Sequence, residues 1–267
     1  MGDDRYPFED PRAVLRRYGL APKHSWGQNF LVSEGAVRRI AGLAVDEPGR
    51  LVVEIGPGLG TLTRALLGAG ARVIAVERDR EMCRVLEAEL GDDPGLQLLE
   101  ADAAGLDYAA ALGDQQGAVV GNLPYQITGR IIRRLTEQPL DVMRVVLTVQ
   151  SEVGDRLIAA PGQADRAALS AMVQARYRPA VAMRLRPTAF HPPPRVHSSV
   201  ITLEPHTAPL FGDLAPAHFD RVVKAAFSSR RKTVRNALAA GGIGEPARVA
   251  GILERAGIDP GLRAERL

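Results

Sequence analysis

Leu51-Val52-Val53-Glu54-Ile55-Gly56-Pro57-Gly58-Leu59-Gly60-Thr61 is the stretch on which the fold turns. Its first five residues have the length and β-branched content of a buried strand. Glycines at 56, 58 and 60 let the backbone pass close to a ligand at the N-terminus of the helix that follows. The dinucleotide fingerprint needs glycine at 61, where this chain has threonine. The Gly-Lys-Ser/Thr of a phosphate-cradling loop is absent as well. Glu54, two positions before the first glycine, suits a cationic ligand without phosphates better than a pyrophosphate.

Outward from this loop, short apolar runs alternate with helical patterns. Extended stretches are expected at Leu51 to Ile55, Arg72 to Glu77, Leu96 to Glu100, Ala118 to Asn122 and Val145 to Val149. Helices are expected at Thr61 to Leu67, Glu81 to Leu90 and Thr128 to Thr136. This rhythm predicts a mostly parallel sheet with helices on both faces, an α/β fold. After a helical pattern from Arg166 to Tyr177, two further extended stretches, Ala180 to Arg186 and Val196 to Leu203, flank the proline-rich Pro187 to Pro194. They can add to the sheet in antiparallel fashion. Pro205, Pro209, Gly212 and Pro216 then read as a linker. Helical patterns at Phe219 to Ser228, Arg231 to Ala239 and Pro246 to Ala256 make a small helical domain, so the division expected is 1–204 and 205–267.

Apolar residues are 46% of the 267, enough for a sizeable core. No run reaches the roughly 18 apolar residues of a membrane span. Met1-Gly2-Asp3-Asp4-Arg5 is polar and is followed by no apolar h-region, unlike a secretory signal. Cys83 is the single cysteine, so no internal disulfide forms, and it reads as a packing thiol in a helix. His191, His197, His206 and His218 lack metal-ligand spacing, and no metal is expected. The net charge of +3 is modest, but its distribution is not even. Arg221, Lys224, Arg230, Arg231, Lys232 and Arg235 occur without an acidic residue between Arg221 and Gly244. Such a block suits docking of nucleic-acid phosphates.

Acids fall where a doubly wound sheet brings strand ends to one crevice. Glu77 ends the second strand and can accept from both hydroxyls of a ribose. Asp102 follows the third and can accept from an adenine amino group. With Glu54 and the glycine loop they read as a site for S-adenosylmethionine. Asn122-Leu123-Pro124-Tyr125, at the end of the fourth strand, adds an amine clamp. The Asn122 amide oxygen and a main-chain carbonyl can each accept from an NH2 group. Pro124 fixes the local backbone and Tyr125 can stack on a flat ring.

These motifs do not stand alone. Lys23 to Leu31, Glu54 to Gly60, Gly121 to Tyr125, Gln150 to Val153, Phe190 to Val196 and Ala226 to Asn236 occur in order. Together they resemble the ribosomal RNA adenine N6,N6-dimethyltransferases of the KsgA type. The resemblance implies a Rossmann-like class I methyltransferase with a mostly parallel seven-stranded sheet and a helical C-terminal domain. It implies dimethylation of two adjacent adenines near the 3′ end of small-subunit rRNA, in a cytoplasmic monomer acting on the RNA or on an assembling subunit. It carries cofactor contacts to Asn29, Leu31, Gly56, Glu77, Asp102 and Asn122. By the same analogy Phe190 faces Tyr125 across the target base, and Asn122 with the Leu123 carbonyl accepts the two N6 hydrogens.

The chain departs from the pattern at three places. Arg166-Ala167 stands where Tyr-Gly is usual, Gln126 where Asn is frequent, and Trp26 where Phe or Leu is commoner. The first two bear on how the base is bounded. Two other readings compete: a large-subunit rRNA adenine methyltransferase, and a non-catalytic RNA-binding or transcription factor of the same fold. The Phe227 to Asn236 stretch favours the small-subunit type, and intact Glu77, Asp102 and Asn122 favour retained chemistry. A nicotinamide dehydrogenase fails on Thr61.

Overall fold

The computed structural model describes residues 6–138 and 140–267, with the side chain of His24 also left aside. The polar start Met1 to Arg5 lies outside the described residues. Two compact units emerge, one of Met1–Gly154 with Ala180–Pro205, the other of Asp155–Pro179 with His206–Leu267.

The first unit opens with α1 (Pro11–Arg17), β1 (Phe30–Leu31) and α2 (Glu34–Ala44). Strands and helices then alternate: β2 (Leu51–Ile55), α3 (Thr61–Gly68), β3 (Arg72–Glu77), α4 (Arg80–Leu90), β4 (Leu96–Glu100), α5 (Tyr108–Leu112), β5 (Gly117–Asn122), α6 (Thr128–Glu137) and β6 (Val142–Gln150). After α7 (Ser151–Ile158) and α8 (Ala168–Gln174) come β7 (Tyr177–Leu185), β8 (Phe190–His191) and β9 (Ser198–Pro205). A seven-stranded sheet has the order β4-β3-β2-β5-β6-β9-β7. Strands β4, β3, β2, β5 and β6 are parallel, and β9 runs antiparallel to β6.

Every residue of β2 is buried, which explains why its sequence is a run rather than an alternation. The chain winds from β2 through β3 to β4 in one direction, then returns to place β5 and β6 on the other side of β2. That reversal opens a crevice beyond the carboxyl ends of β2 and β5. A separate two-stranded pairing, β1 with β8, sets Phe30 opposite His191 and Leu31 opposite Phe190.

Helices α1, α2 and α7 and the pair β1/β8 were not among the sequence expectations. In α2 the buried positions 36, 37, 40, 41 and 44 follow helical spacing, but three of the five are alanine, so the stripe is faint. The helix expected over Arg166 to Tyr177 is confined to Ala168–Gln174, because the backbone turns extended into β7 at Tyr177.

The second unit contains α8, α9 (Pro216–Ala226), α10 (Val234–Ala240) and α11 (Pro246–Arg255). Its apolar core includes Ala226, Val234, Leu238, Val249 and Leu253. The last boundary between the units falls after Pro205, and residues 155–179 belong to the helical unit rather than the sheet unit. Specific contacts account for this. Buried Arg176 pairs with buried Asp220 at 3.1 Å and lies over the rings of Phe211 and Phe219 at 4.8 and 5.5 Å. Arg166 donates to the main-chain oxygens of Ala159 and Leu267 and to Gln174 Oε1, each at 2.7 Å. The unusual Arg166 is therefore a strut of the helical unit. Its guanidinium is committed there.

Candidate active site

The crevice is a cleft of about 190 Å³. Its walls come from the ends of β2, β3 and β5, the loop after β4, and the segment from Ser25 to Leu31. Asn29, Leu31, Gly56, Glu77, Asp102, Asn122, Leu123 and Tyr125 all line it, so the structure brings together eight positions singled out in the sequence.

The glycine loop is shaped by contact as much as by turning. Gly58 has φ +58°, and a Cβ there would sit 2.9 Å from the Phe30 ring. Its N–H donates to Glu77 Oε2 at 3.1 Å, while Glu77 Oε1 accepts from the amides of Arg78 and Asp79 at 2.8 Å each. Three backbone donors thus hold one carboxylate rigid at the end of β3. Burial pushes its pKa up, against the lowering by those amides. A hydroxyl donor can still be accepted on Oε2, since each carboxylate oxygen has two lone pairs. Asp102 Oδ1 accepts from Ala104 N at 2.9 Å, and its second oxygen stands 3.9 Å from the Arg130 guanidinium.

Glu54 behaves differently from the sequence expectation. It is 1% exposed, accepts from Thr63 Oγ1 at 2.7 Å, and its pKa is pushed up to about 8, chiefly by burial. It is therefore largely protonated at neutral pH and offers no standing negative charge. A cation brought into the cleft would favour its ionised form.

The amine clamp is well defined. Asn122 Nδ2 donates to the main-chain oxygen of Asn29 at 2.7 Å. A carbonyl only accepts, so this contact assigns the amide and leaves Oδ1 as the acceptor offered to the cleft. The Leu123 amide is tied to Thr148 O at 3.1 Å. The Pro124 carbonyl is taken by Ile127 N and Thr128 Oγ1, both at 3.1 Å, which leaves the Leu123 carbonyl as the turn's candidate second acceptor. Tyr125, part-buried, meets Ser198 Oγ through its hydroxyl at 2.8 Å.

Phe190 is the exception. It is 3% exposed, packs in the apolar core with Leu31, Val37 and Ile40, and is absent from the cleft wall. Pairing of β8 with β1 turns its ring inward, so it does not form the second stacking face in this structure.

The segment from Lys23 to Gln28 is held by charged and polar contacts. Lys23 Nζ contacts both oxygens of buried Asp79 at 2.8 and 2.9 Å and Glu81 at 2.6 Å. Gln28 Nε2 also donates to Asp79, at 2.9 Å. Trp26 stacks beneath the Arg78 guanidinium at 4.4 Å. Lys23 and Gln28 were visible as part of a motif, whereas Asp79, which also caps α4, was not singled out.

The six basic residues are exposed on the second unit. Helix α10 begins only at Val234, capped by Thr233, so Arg230 to Lys232 lie in the turn before it and not in a helix. Arg221, Arg230 and Arg235 make local contacts with Gly242 O, Ala164 O and Asn236 Oδ1. Among the described residues no cluster of three His, Cys, Asp or Glu suits a metal ion, and no helix is long and apolar enough to cross a membrane.

Strand order and cleft define a Rossmann-like methyltransferase. Residues 20–263 match the family described as ribosomal RNA adenine dimethylase, and the chain belongs to it. It is 48% identical over 99% of its length to ribosomal RNA small subunit methyltransferase A of Anaeromyxobacter dehalogenans (strain 2CP-C), covering 95% of that protein. To the protein of the same name from Myxococcus xanthus (strain DK1622) it is 45% identical over 97%, covering 92%. The crystal structure of the 23S rRNA methyltransferase ErmE is similar at a TM-score of 0.68 and 26% identity, with 89% of this chain and 96% of that one covered. A dimethyladenosine transferase from Plasmodium falciparum shares the fold at a TM-score of 0.74 and 22% identity, over 89% and 92% of the two chains.

Proposed function

We propose that this chain dimethylates N6 of two adjacent adenines near the 3′ end of small-subunit (16S) rRNA, with S-adenosylmethionine as methyl donor. The observation that carries the reading is the assigned amide of Asn122, whose Nδ2 is spent on Asn29 O and whose Oδ1 is left as acceptor, in a cleft also lined by Leu123, Glu77 and Asp102. Full-length likeness to proteins named small subunit methyltransferase A favours this substrate over large-subunit rRNA.

The residues present fit the cofactor. Gly56, with φ +65° and open space where a Cβ would stand, lines the cleft and admits close backbone approach, Glu77 can accept from a ribose, and Asp102 from an adenine amine. Asn29, Leu31, Gly56 and Asn122 complete its contacts. When bound, it supplies an electrophilic methyl group on a sulfonium.

The protein's own part is positioning. Adenine N6 is a poor nucleophile because its lone pair is delocalised into the ring. Accepting both N6 hydrogens, on Asn122 Oδ1 and the Leu123 carbonyl, lets the nitrogen pyramidalise and directs its lone pair. Stacking of a flipped-out base on Tyr125 contributes on the order of 1–3 kcal/mol. No side-chain nucleophile is required. Arg221, Lys224, Arg230, Arg231, Lys232 and Arg235 hold RNA phosphates, and the enzyme works in the cytoplasm as a monomer, on free rRNA or an assembling subunit. The deciding experiment is in vitro methylation of undermethylated small subunits, with mass spectrometry of the adenines. Dimethyladenosine in large-subunit rRNA alone would overturn the assignment.

A further inference from the structure

Ser198 is the first residue of β9, is 0% exposed, and spends its hydroxyl on that of Tyr125 at 2.8 Å. Its neighbour Ser199 faces the other way, as alternation along a strand requires, and bonds Ser151 Oγ and Arg184 Nη1 at 3.0 and 3.3 Å. Only one of the two buried serines therefore reaches the cleft wall.

The register explains why that contact matters. Asn122 pairs with Thr148 of β6, and Ser198 pairs with Gln150 of the same strand, two residues further on. The amine acceptor and the anchor of the stacking ring are thus both referenced to β6 by ladder hydrogen bonds. Hydrogen bonds within the Pro124–Thr128 turn fix the backbone that carries Tyr125, but they leave its side chain free to swing at χ1. The phenol oxygen lies on the long axis of the ring, so a bond there pins that axis, and packing decides the rotation about it.

We propose that Ser198 is a positioning residue for methyl transfer, holding the Tyr125 ring axis so that a stacked base presents N6 to Asn122 and Leu123. The inference rests on the reading of Tyr125 as the stacking face. It concerns placement of the base and not cofactor affinity. Loss of this one hydrogen bond between neutral groups then lowers the rate by about tenfold, because the ring axis is no longer pinned and the base is misplaced.

The test is a double-mutant cycle on undermethylated small subunits with saturating S-adenosylmethionine. Ser198→Ala and Tyr125→Phe should each lower kcat by about tenfold with cofactor affinity unchanged by calorimetry. The double variant should be no slower than either single one. Multiplying effects in the double variant overturn the proposal, as does a Tyr125→Phe rate equal to wild type. The latter reads the same contact even if Ser198→Ala fails to fold. Tyr125→Ala separates the two layers. Full activity in it removes the stacking reading itself, whereas inactivity beside a normal Tyr125→Phe removes only the role of Ser198.

Discussion

The side-chain nitrogen of Asn122 donates to the main-chain oxygen of Asn29 across 2.7 Å, joining residues 93 positions apart. Asn29 is itself steadied by its own Nδ2, which donates to Gly27 O at 3.0 Å. The contact makes the segment before β1 part of the amine clamp, since a displaced Asn29 carbonyl would let the Asn122 amide rotate and present a donor where an acceptor is needed.

Asn122→Ala removes that acceptor while leaving Glu77, Asp102 and the glycine loop in place. Methyl transfer measured with a tritiated methyl donor should fall by about 100- to 1,000-fold, as for loss of one preorganised transition-state contact. Cofactor binding should persist in weakened form. Turnover near wild type would refute the positioning argument.

Glu54 links stability to pH. Its folded pKa of about 8 stands above the ordinary 4.5. Between those values the unfolded chain gives up a proton that the folded chain keeps. The contribution is therefore complete below pH 4.5 and declines as pH rises through 8. Glu54→Gln should flatten this decline in melting temperature measured from pH 4.5 to 8. Parallel pH curves for the two proteins would contradict it.

Gly58 is constrained twice, by φ +58° and by the Phe30 ring 2.9 Å from where a Cβ would be. Gly58→Ala should cost about 1–2 kcal/mol for the left-handed backbone alone, with more from the ring contact. It should also weaken cofactor binding, because the amide at 58 holds Glu77. Denaturant unfolding and calorimetry read the two effects separately. Wild-type values in both would show the loop to be tolerant.

Arg231 and Lys232 lie exposed in the turn before α10. Replacing both with alanine should weaken rRNA binding and reduce the slope of log affinity against log salt by about 1.5, at 0.7–0.9 per phosphate contact. Filter-binding titrations giving an unchanged slope would assign the phosphates to other residues.

Much of the parallel sheet was legible because strands buried on both faces write themselves as short apolar runs between helical patterns. Leu51–Ile55, Arg72–Glu77 and Leu96–Glu100 end where the runs end. The two-residue strands at Phe30 and Phe190 are too short to leave a periodic trace. Glu77, Asp102 and Asn122 could be placed together because strand ends meet at a topological switch. The protonation of Glu54 was not legible, since it depends on burial and not on residue type. Nor was the inward ring of Phe190, for an aromatic in a motif does not announce which face it takes. Arg231 and Lys232 read as the start of a helix, but the cap at Thr233 places them before it.

The chain passes between its two compact units three times, after Gly154, Pro179 and Pro205. No single cut therefore separates them. A fragment ending at Pro205 would keep Arg176 but lose Asp220, Phe211 and Phe219, leaving a guanidinium built for burial without its counter-charge or its aromatic bed. Breaking a buried pair in this way costs about 3–5 kcal/mol. Truncations meant to isolate the sheet unit should excise 155–179 as well and rejoin the chain across the gap.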